Sequence, residues 1–371
     1  MNIVFDAKRA FHNSRGLGNY SRYCIDTLAT YFPENNYFLF NPTNKNNIDF
    51  PLSEQSRNIV PQSLIGKAFP ALWRSIGMCK QIKSINADIY HGLSQELPFG
   101  ISKTGAKTIV TMHDAIFMRY PKLYLSSYRN IFIRKNAYAC KVSNHIIAIS
   151  EQTKRDFVEY FNVDENKISV VYQGCNPIFR EPIPEEKKRA IREKYNLPQQ
   201  FILTVGTIEE RKNTMLIIEA LHRGHLEIPL VMIGRPTSYI KKIQKTITEY
   251  KMEKQVIFIH NAETNDLPAI YTLSDIFVYP SIFEGFGIPI LEALCTGTPV
   301  ISSKGSCFEE TGGPYSIYVD PGSADELSES IAKILNDKAL SDTMKKEGSI
   351  FSAKFSDKNF AQKLMKIYQS V

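Results

Sequence analysis

The chain has 371 residues, 43% hydrophobic and 22% charged, ordinary globular proportions that exclude a disordered, collagen-like or disulfide-scaffold protein and predict about two domains. Its net charge of +7 lies wholly in the first half: residues 1–178 carry 21 Lys and Arg against 13 Asp and Glu, residues 179–371 carry 24 against 25. Six cysteines without a CxxC pair argue against a zinc knuckle, and neither a secretory leader nor an apolar run of about 18 residues is present, so the expected place is the cytoplasm.

In chain order, Ile3–Phe5 predicts a buried strand, and Asn19–Tyr31 a helix with Tyr20, Tyr23, Cys24, Leu28 and Tyr31 near one face. Strands are predicted at Tyr37–Phe40, Ala87–Tyr90, Thr108–Met112, His145–Ile149 and Lys167–Tyr172. The pattern breaks around Asn176–Phe179 and a polar stretch, Glu181–Asn196. It restarts with a strand at Phe201–Val205, a helix from Thr214, and strands at Pro229–Ile233, Val256–Ile259, Ile276–Tyr279 and Pro299–Ile301. A last helix, Asp357–Tyr368, can pack on either half.

Strands alternating with helices predict an α/β fold of two doubly wound halves, residues 1–178 and 179–355, with residues 356–371 crossing back. Ligands of such sheets bind beyond the carboxyl ends of the strands. Two halves facing each other make a deep cleft, lined by the loops after Phe5, Met112, Val205, Ile233 and Tyr279.

Those loops hold the unusual chemistry. Gly16 and Gly18 open a helix, where backbone N–H groups can approach an anion, although the third glycine of a dinucleotide fingerprint is missing. His113-Asp114 ends a strand; the pair faces a ligand, or Asp114 merely caps a helix. In Gly206-Thr207-Ile208-Glu209-Glu210-Arg211-Lys212-Asn213, two cations stand where a helix begins, against its dipole, which makes sense if an anion such as a diphosphate lies there. The most distinctive run is Pro280–Ala293: Gly285 and Gly287 bracket Phe286, taken as an exposed aromatic, Glu284 sits in the loop, and Glu292 follows on an apolar helix. Carboxylates so placed can accept hydrogen bonds from sugar or ribose hydroxyls.

The segment Glu284-Gly-Phe-Gly-Ile-Pro-Ile-Leu-Glu292 resembles the E-x7-E signature of retaining glycosyltransferases, and more narrowly family 4, whose fold is GT-B. The Gly206–Asn213 loop, His113-Asp114, the Gly16/Gly18 loop and Val319-Asp320-Pro321 stand in family order. The resemblance implies that Glu284 holds the donor sugar and Glu292 the ribose, with Phe286, Gly287 and Ile288 offering backbone N–H groups. It implies that Arg211 and Lys212 neutralise the diphosphate, with Gly206 and Thr207 beside it, and that Gly16 and Gly18 close over the phosphate. His113 would lie near the transferred sugar, and the base near Gly234-Arg235 and Asn261. Thr207 departs from the Arg common in the family at that place.

The implied reaction is transfer from a nucleotide-sugar to a glycan or lipid-linked acceptor, with neither cofactor nor metal. The glycine-threonine-isoleucine-glutamate form leans toward GDP-mannose and toward bacterial mannosyltransferases of surface polysaccharide. The basic first half, with Lys67, Trp73, Arg74 and Lys80, is expected to meet an acceptor or an anionic membrane, although core packing explains the apolar residues of that segment equally well. The alternatives are a nucleotide-sugar epimerase of the same fold and a non-catalytic nucleotide-binding protein. Nucleic acid is disfavoured, since no exposed aromatics cluster on a basic strand.

Overall fold

The computed structural model describes residues 1–371. The chain divides into two compact units, Met1–Gly174 with Phe355–Val371, and Cys175–Lys354. The division at Gly174/Cys175 falls slightly earlier than the position anticipated from the sequence, and the last helix, Asp357–Ser370, belongs with the N-terminal unit.

The N-terminal unit is built on β1 (Asn2–Asp6), β2 (Asn36–Phe40), β3 (Ser56–Ile59), β4 (Ile89–Gly92), β5 (Lys107–Met112), β6 (His145–Ala148) and β7 (Ile168–Val170). All pairings are parallel, in the order β3-β2-β1-β4-β5-β6-β7. The inner strands are buried on both faces, which is why they read as continuous apolar runs. Val4, Phe38, Phe40, Tyr90, Val110 and Ile146 pack one side of the sheet against the helices.

The helix predicted from Asn19 starts at Gly16, because the Arg15 carbonyl accepts from both Gly18 and Asn19 N–H and so closes the first turn around the glycines. β4 runs from Ile89 to Gly92, later than predicted. β7 begins after a short turn, Glu165–Lys167, that Asp164 caps. β3 was not predicted: Ser-Arg-Asn-Ile is a polar edge strand with no apolar alternation.

Asp357–Ser370 lies against the helix Gly16–Tyr31. Tyr23 Oη donates to Asp357 Oδ1 at 2.8 Å, the rings of Tyr23 and Phe360 lie 4.9 Å apart, and Tyr368 Oη meets the buried His91 Nδ1 at 2.6 Å.

The C-terminal unit carries β8 (Ile202–Val205), β9 (Leu230–Ile233), β10 (Val256–Ile259), β11 (Ile276–Tyr279), β12 (Val300–Ser303) and β13 (Ile317–Val319). They form a second parallel sheet, in the order β10-β9-β8-β11-β12-β13. Its core joins Leu230, Met232, Val278 and Ile301 to Leu216, Ile217 and Leu221 of the helix Thr214–Arg223. β13, a three-residue edge strand, was also missed.

Candidate functional site

In the C-terminal sheet the strand order reverses between β8 and β11, which are direct neighbours. A parallel sheet opens a crevice at such a reversal, because the connections leave toward opposite faces. The loops after β8 and β11 are the two motifs singled out in the sequence, Gly206–Asn213 and Pro280–Gly287. The fold therefore brings them together although about 70 residues separate them.

Glu284 is the centre of the resulting cluster. Its Oε1 lies 2.7 Å from Arg211 Nη1 and 2.6 Å from Lys212 Nζ, and it accepts from Tyr279 Oη at 3.1 Å. Lys212 Nζ also donates to Tyr279 Oη at 2.5 Å. Arg211 continues to Glu209 Oε1 and to the Phe283 carbonyl, each at 2.7 Å. Burial alone would raise the Glu284 pKa, but the charges of Lys212 and Arg211 hold it down at about 2. The anion that the two cations meet is thus the Glu284 carboxylate. The cations also stand slightly earlier than predicted, in a turn at Glu210–Lys212 ahead of the helix Thr214–Arg223.

Asn213, at φ 54°, makes the sharp step from that turn into the helix, a conformation Asn tolerates. Its Nδ2 donates to the carbonyls of Pro280 (3.1 Å) and Pro321 (2.8 Å), tying together the loops after β8, β11 and β13. The next residue, Thr214, has a buried hydroxyl with no hydrogen-bond partner. At the end of β9, a Cβ on Gly234 would fall 1.7 Å from the Gly206 carbonyl oxygen, so only glycine lets the two strand ends pass. Arg235 bonds Ile208 N–H through its carbonyl at 3.0 Å, while its side chain and that of Asn261 are exposed. Thr207 is half-buried.

Gly287, at φ 91°, starts the helix Ile288–Cys295. Phe286 is a correction: it is 2% exposed and packs inward, its carbonyl accepting from Thr311 Oγ1 at 2.5 Å. The glycines let the loop turn sharply around a buried anchor. Glu292, in the middle of the helix, accepts from Tyr271 Oη at 3.0 Å, and burial pushes its carboxyl up to about 7. The two acids of the motif are therefore electrically opposite: Glu284 is a fixed anion, while Glu292 exchanges a proton near neutrality.

The remaining predicted residues belong to the N-terminal unit. Gly16 is exposed at the start of its helix, and a Cβ on Gly18 would lie 1.7 Å from the Asn13 carbonyl oxygen. His113 lies edge-on to Tyr20 of that helix, with ring centroids 4.7 Å apart. Its Nε2 donates to the Leu93 carbonyl at 2.8 Å, which leaves Nδ1 without the proton, and burial lowers its pKa to about 4. Asp114 Oδ1 accepts from Ile116 N–H at 3.1 Å, the capping role weighed for it.

Of the four residues expected at a membrane or acceptor surface, two are buried or tied up within the unit. Trp73 is buried, stacked on Phe40 at 5.8 Å, with Nε1 donating to Gln81 Oε1 at 2.6 Å. Arg74 is held by Asp6 and Glu96, each at 2.5 Å. A strand-end aspartate captures the guanidinium that the sequence places on a basic surface. Lys67 and Lys80 are exposed.

Sequence reasoning passed over Tyr279, Tyr271 and Ser306. Ser306 Oγ accepts from Glu284 N–H at 3.2 Å and donates to the Glu284 carbonyl at 3.0 Å. Tyr279 at a strand end and Tyr271 in the helix Leu267–Leu273 both read as core, and the serine stands 22 positions from its partner, so none carried a local signal. No group of three or more His, Cys, Asp or Glu side chains is arranged to hold a metal ion.

Comparison with known proteins decides the class. The family of group 1 glycosyl transferases matches residues 187–350, and glycosyltransferase family 4 matches residues 39–178. The chain is a glycosyltransferase of the GT-B type. This glycosyltransferase is 24% identical to O-antigen chain mannosyltransferase B of Escherichia coli over the full length of both chains. It superposes on a glycosyltransferase from Rickettsia africae with a TM-score of 0.76 at 20% identity, covering 99% of this chain and 97% of that one. It superposes on Anabaena HepE, solved in complex with UDP, with a TM-score of 0.75 at 17% identity over all of both chains.

Proposed function

We propose that this glycosyltransferase moves a sugar, mannose for preference, from a nucleoside diphosphate sugar to a glycan or lipid-linked acceptor of a surface polysaccharide, with retention and without a metal ion. The observation that carries the reading is the pair Arg211 and Lys212, set at the strand-order reversal beside the helix Thr214–Arg223, with the unpartnered Thr214 hydroxyl next to them. Preorganised cations lower the barrier where charge grows during reaction, and the oxygen of a departing diphosphate is such a place. Similarity to a mannosyltransferase of O-antigen chains supports the mannosyl donor and the polysaccharide pathway.

In the transfer, the bond between the anomeric carbon and the phosphate oxygen breaks, and the acceptor oxygen bonds to the same face of that carbon. The acceptor's proton passes to the leaving diphosphate, so no protein nucleophile is required. Arg211 and Lys212 meet the charge on the diphosphate, in exchange for the Glu284 carboxylate that they otherwise hold. Glu292 faces the ribose as the hydrogen-bonding partner of its hydroxyls. The C-terminal unit takes the donor and the N-terminal unit the acceptor, at the surface of an anionic membrane. No helix is long and apolar enough to cross that membrane.

The test is calorimetric titration with GDP, UDP and ADP, followed by incubation with GDP-mannose and lipid extract in EDTA. GDP should bind best, Arg211→Ala and Lys212→Ala should each weaken it about tenfold or more at roughly 1.5–3 kcal/mol per charge-assisted contact, and mannosyl product should form in EDTA. Equal GDP affinity in wild type and both variants would remove the cations from the diphosphate site. Conversion of the donor in the absence of acceptor would instead make the protein an epimerase.

A further inference from the structure

After β3 the N-terminal unit forms a short helix, Leu64–Ala68, a turn at Pro70–Leu72, a π-helical turn at Trp73–Gly77 and a helix, Met78–Ser84. Between them runs a groove of about 550 Å³, within the range of small-molecule sites. Ile65, Leu72, Trp73 and Ile76 give it hydrocarbon walls, and Lys80 and Gln81 stand among its polar lining residues.

Glycines hold the indole of Trp73 in place. A Cβ on Gly66 would lie 3.1 Å from Trp73 Cδ1 and one on Gly77 3.0 Å from it, so the ring is packed tightly between the two turns. π-helical turns are uncommon and occur often at functional sites.

The apolar wall continues onto the surface. Leu64 is 83% exposed, Ile65 68% and Phe69 61%, while Leu72 and Ile76 are about half exposed. Adjacent exposed side chains of this size mark an interaction surface rather than scattered apolar residues. The segment that builds the groove carries charge of one sign: residues 55–87 contain Arg57, Lys67, Arg74, Lys80 and Lys83 and no Asp or Glu. Arg74 is consumed by Asp6 and Glu96, whereas Lys67, Lys80 and Lys83 are exposed.

We propose that this groove binds one hydrocarbon chain of an anionic lipid, with the head group at Lys80 and the surrounding lysines, and that its physiological occupant is the lipid of the acceptor. The apolar walls select the chain, and the exposed lysines Lys67, Lys80 and Lys83 select the head. The identification of the lipid as the acceptor's rests on the transfer reading above; the groove itself does not.

Trp73 is the only tryptophan of the chain, so its fluorescence reports on the groove alone. The full-length protein is titrated, without bilayers, with brominated stearate below its aggregation threshold. Seating of the chain should quench Trp73 saturably, and ordinary stearate or farnesyl phosphate should reverse the quenching; either competitor supports the site, and the tighter one names the chain as acyl or isoprenoid. The double variant Leu72→Asp, Ile76→Asp changes half-exposed side chains, so it should keep the wild-type unfolding temperature while binding weakens tenfold or more. Lys80→Gln should weaken binding several-fold and reduce its salt dependence. No quenching in wild type, or equal quenching in the double variant, overturns the proposal, as does self-association that buries the apolar face and excludes stearate. GDP titration of the same sample separates the two claims: GDP binding without quenching removes the groove alone, and quenching without any nucleoside diphosphate binding removes the transfer reading and leaves the lipid site.

Discussion

Replacing Glu284 with alanine leaves Arg211 and Lys212 facing each other without their shared carboxylate. Their side chains are 17% and 14% exposed, so water screens them poorly. The carboxyl is held at about 2 against an ordinary 4.5, which corresponds to about 3 kcal/mol at roughly 1.36 kcal/mol per unit. Breaking a buried ion pair costs about 3–5 kcal/mol. Arg211 keeps Glu209 and Lys212 keeps Tyr279, so the lower figure applies. For a unit of this size about 1 kcal/mol moves the unfolding temperature by about 2–4 °C, so the loss should be roughly 6–12 °C. Because the pKa is depressed, the wild-type contribution is fully present above about pH 4.5 and disappears as pH falls through about 2. The same change frees both cations for an incoming diphosphate. Saturating GDP should therefore restore more of the unfolding temperature in the variant than it adds to wild type, while transfer is lost. Scanning calorimetry at pH 7 with and without GDP measures both effects. An unfolding temperature within about 2 °C of wild type, or a GDP increment smaller than wild type's, would refute the idea that Glu284 serves as the stand-in anion.

The other expectations concern Glu292 and Arg74. Glu292 titrates at about 7 against 4.5 when unfolded, so its ionisation opposes folding; that penalty grows as pH rises from about 4.5 and is complete above about 7. Glu292→Gln should consequently unfold at a higher temperature than wild type at pH 8 and at nearly the same temperature at pH 5, and a constant difference across that range in thermal scans would contradict the assignment. Arg74→Gln should destabilise the N-terminal unit by about 3 kcal/mol, the low end for a broken buried ion pair, since Asp6 loses its cation while Glu96 keeps Lys135 at 3.1 Å. Lys67→Gln with Lys80→Gln should instead leave stability within about 0.5 kcal/mol and reduce low-salt binding to anionic vesicles; thermal scans and co-sedimentation would expose either order reversed.

Periodicity exposed what is local and apolar. The inner strands of both sheets read as uninterrupted hydrophobic runs because helices cover both faces. β3 escaped because it is a polar edge strand that nothing in Ser56–Ile59 distinguishes from a loop, and β13 because its three residues are too few to show a pattern. Glu284, Arg211 and Lys212 could be chosen from their loops, but their mutual pairing could not. It depends on β8 and β11 becoming neighbours, which is a property of strand order. The same limit applies to Trp73 and Arg74: surface and core readings stay open for them because the sequence does not show that Asp6 and Phe40 end adjacent strands. Phe286 was misread for a related reason, since glycines on either side suggest an open loop when they accommodate a buried ring.

The last helix imposes an order of assembly on the N-terminal unit. His91 and Tyr368 are 277 positions apart and share a buried hydrogen bond, and Tyr23 waits for Asp357 across 334. Residues 175–354 form the contiguous unit, whose partners have all left the ribosome before the first unit can be closed. During synthesis Tyr23 and His91 therefore wait for their partners on the last helix, and the earlier-made unit is the later one to be completed. Loop-closure entropy rises only slowly with length, so the separation costs little in stability, but the face of the helix Gly16–Tyr31 that meets Asp357–Ser370 stays uncovered until the end of the polypeptide is made.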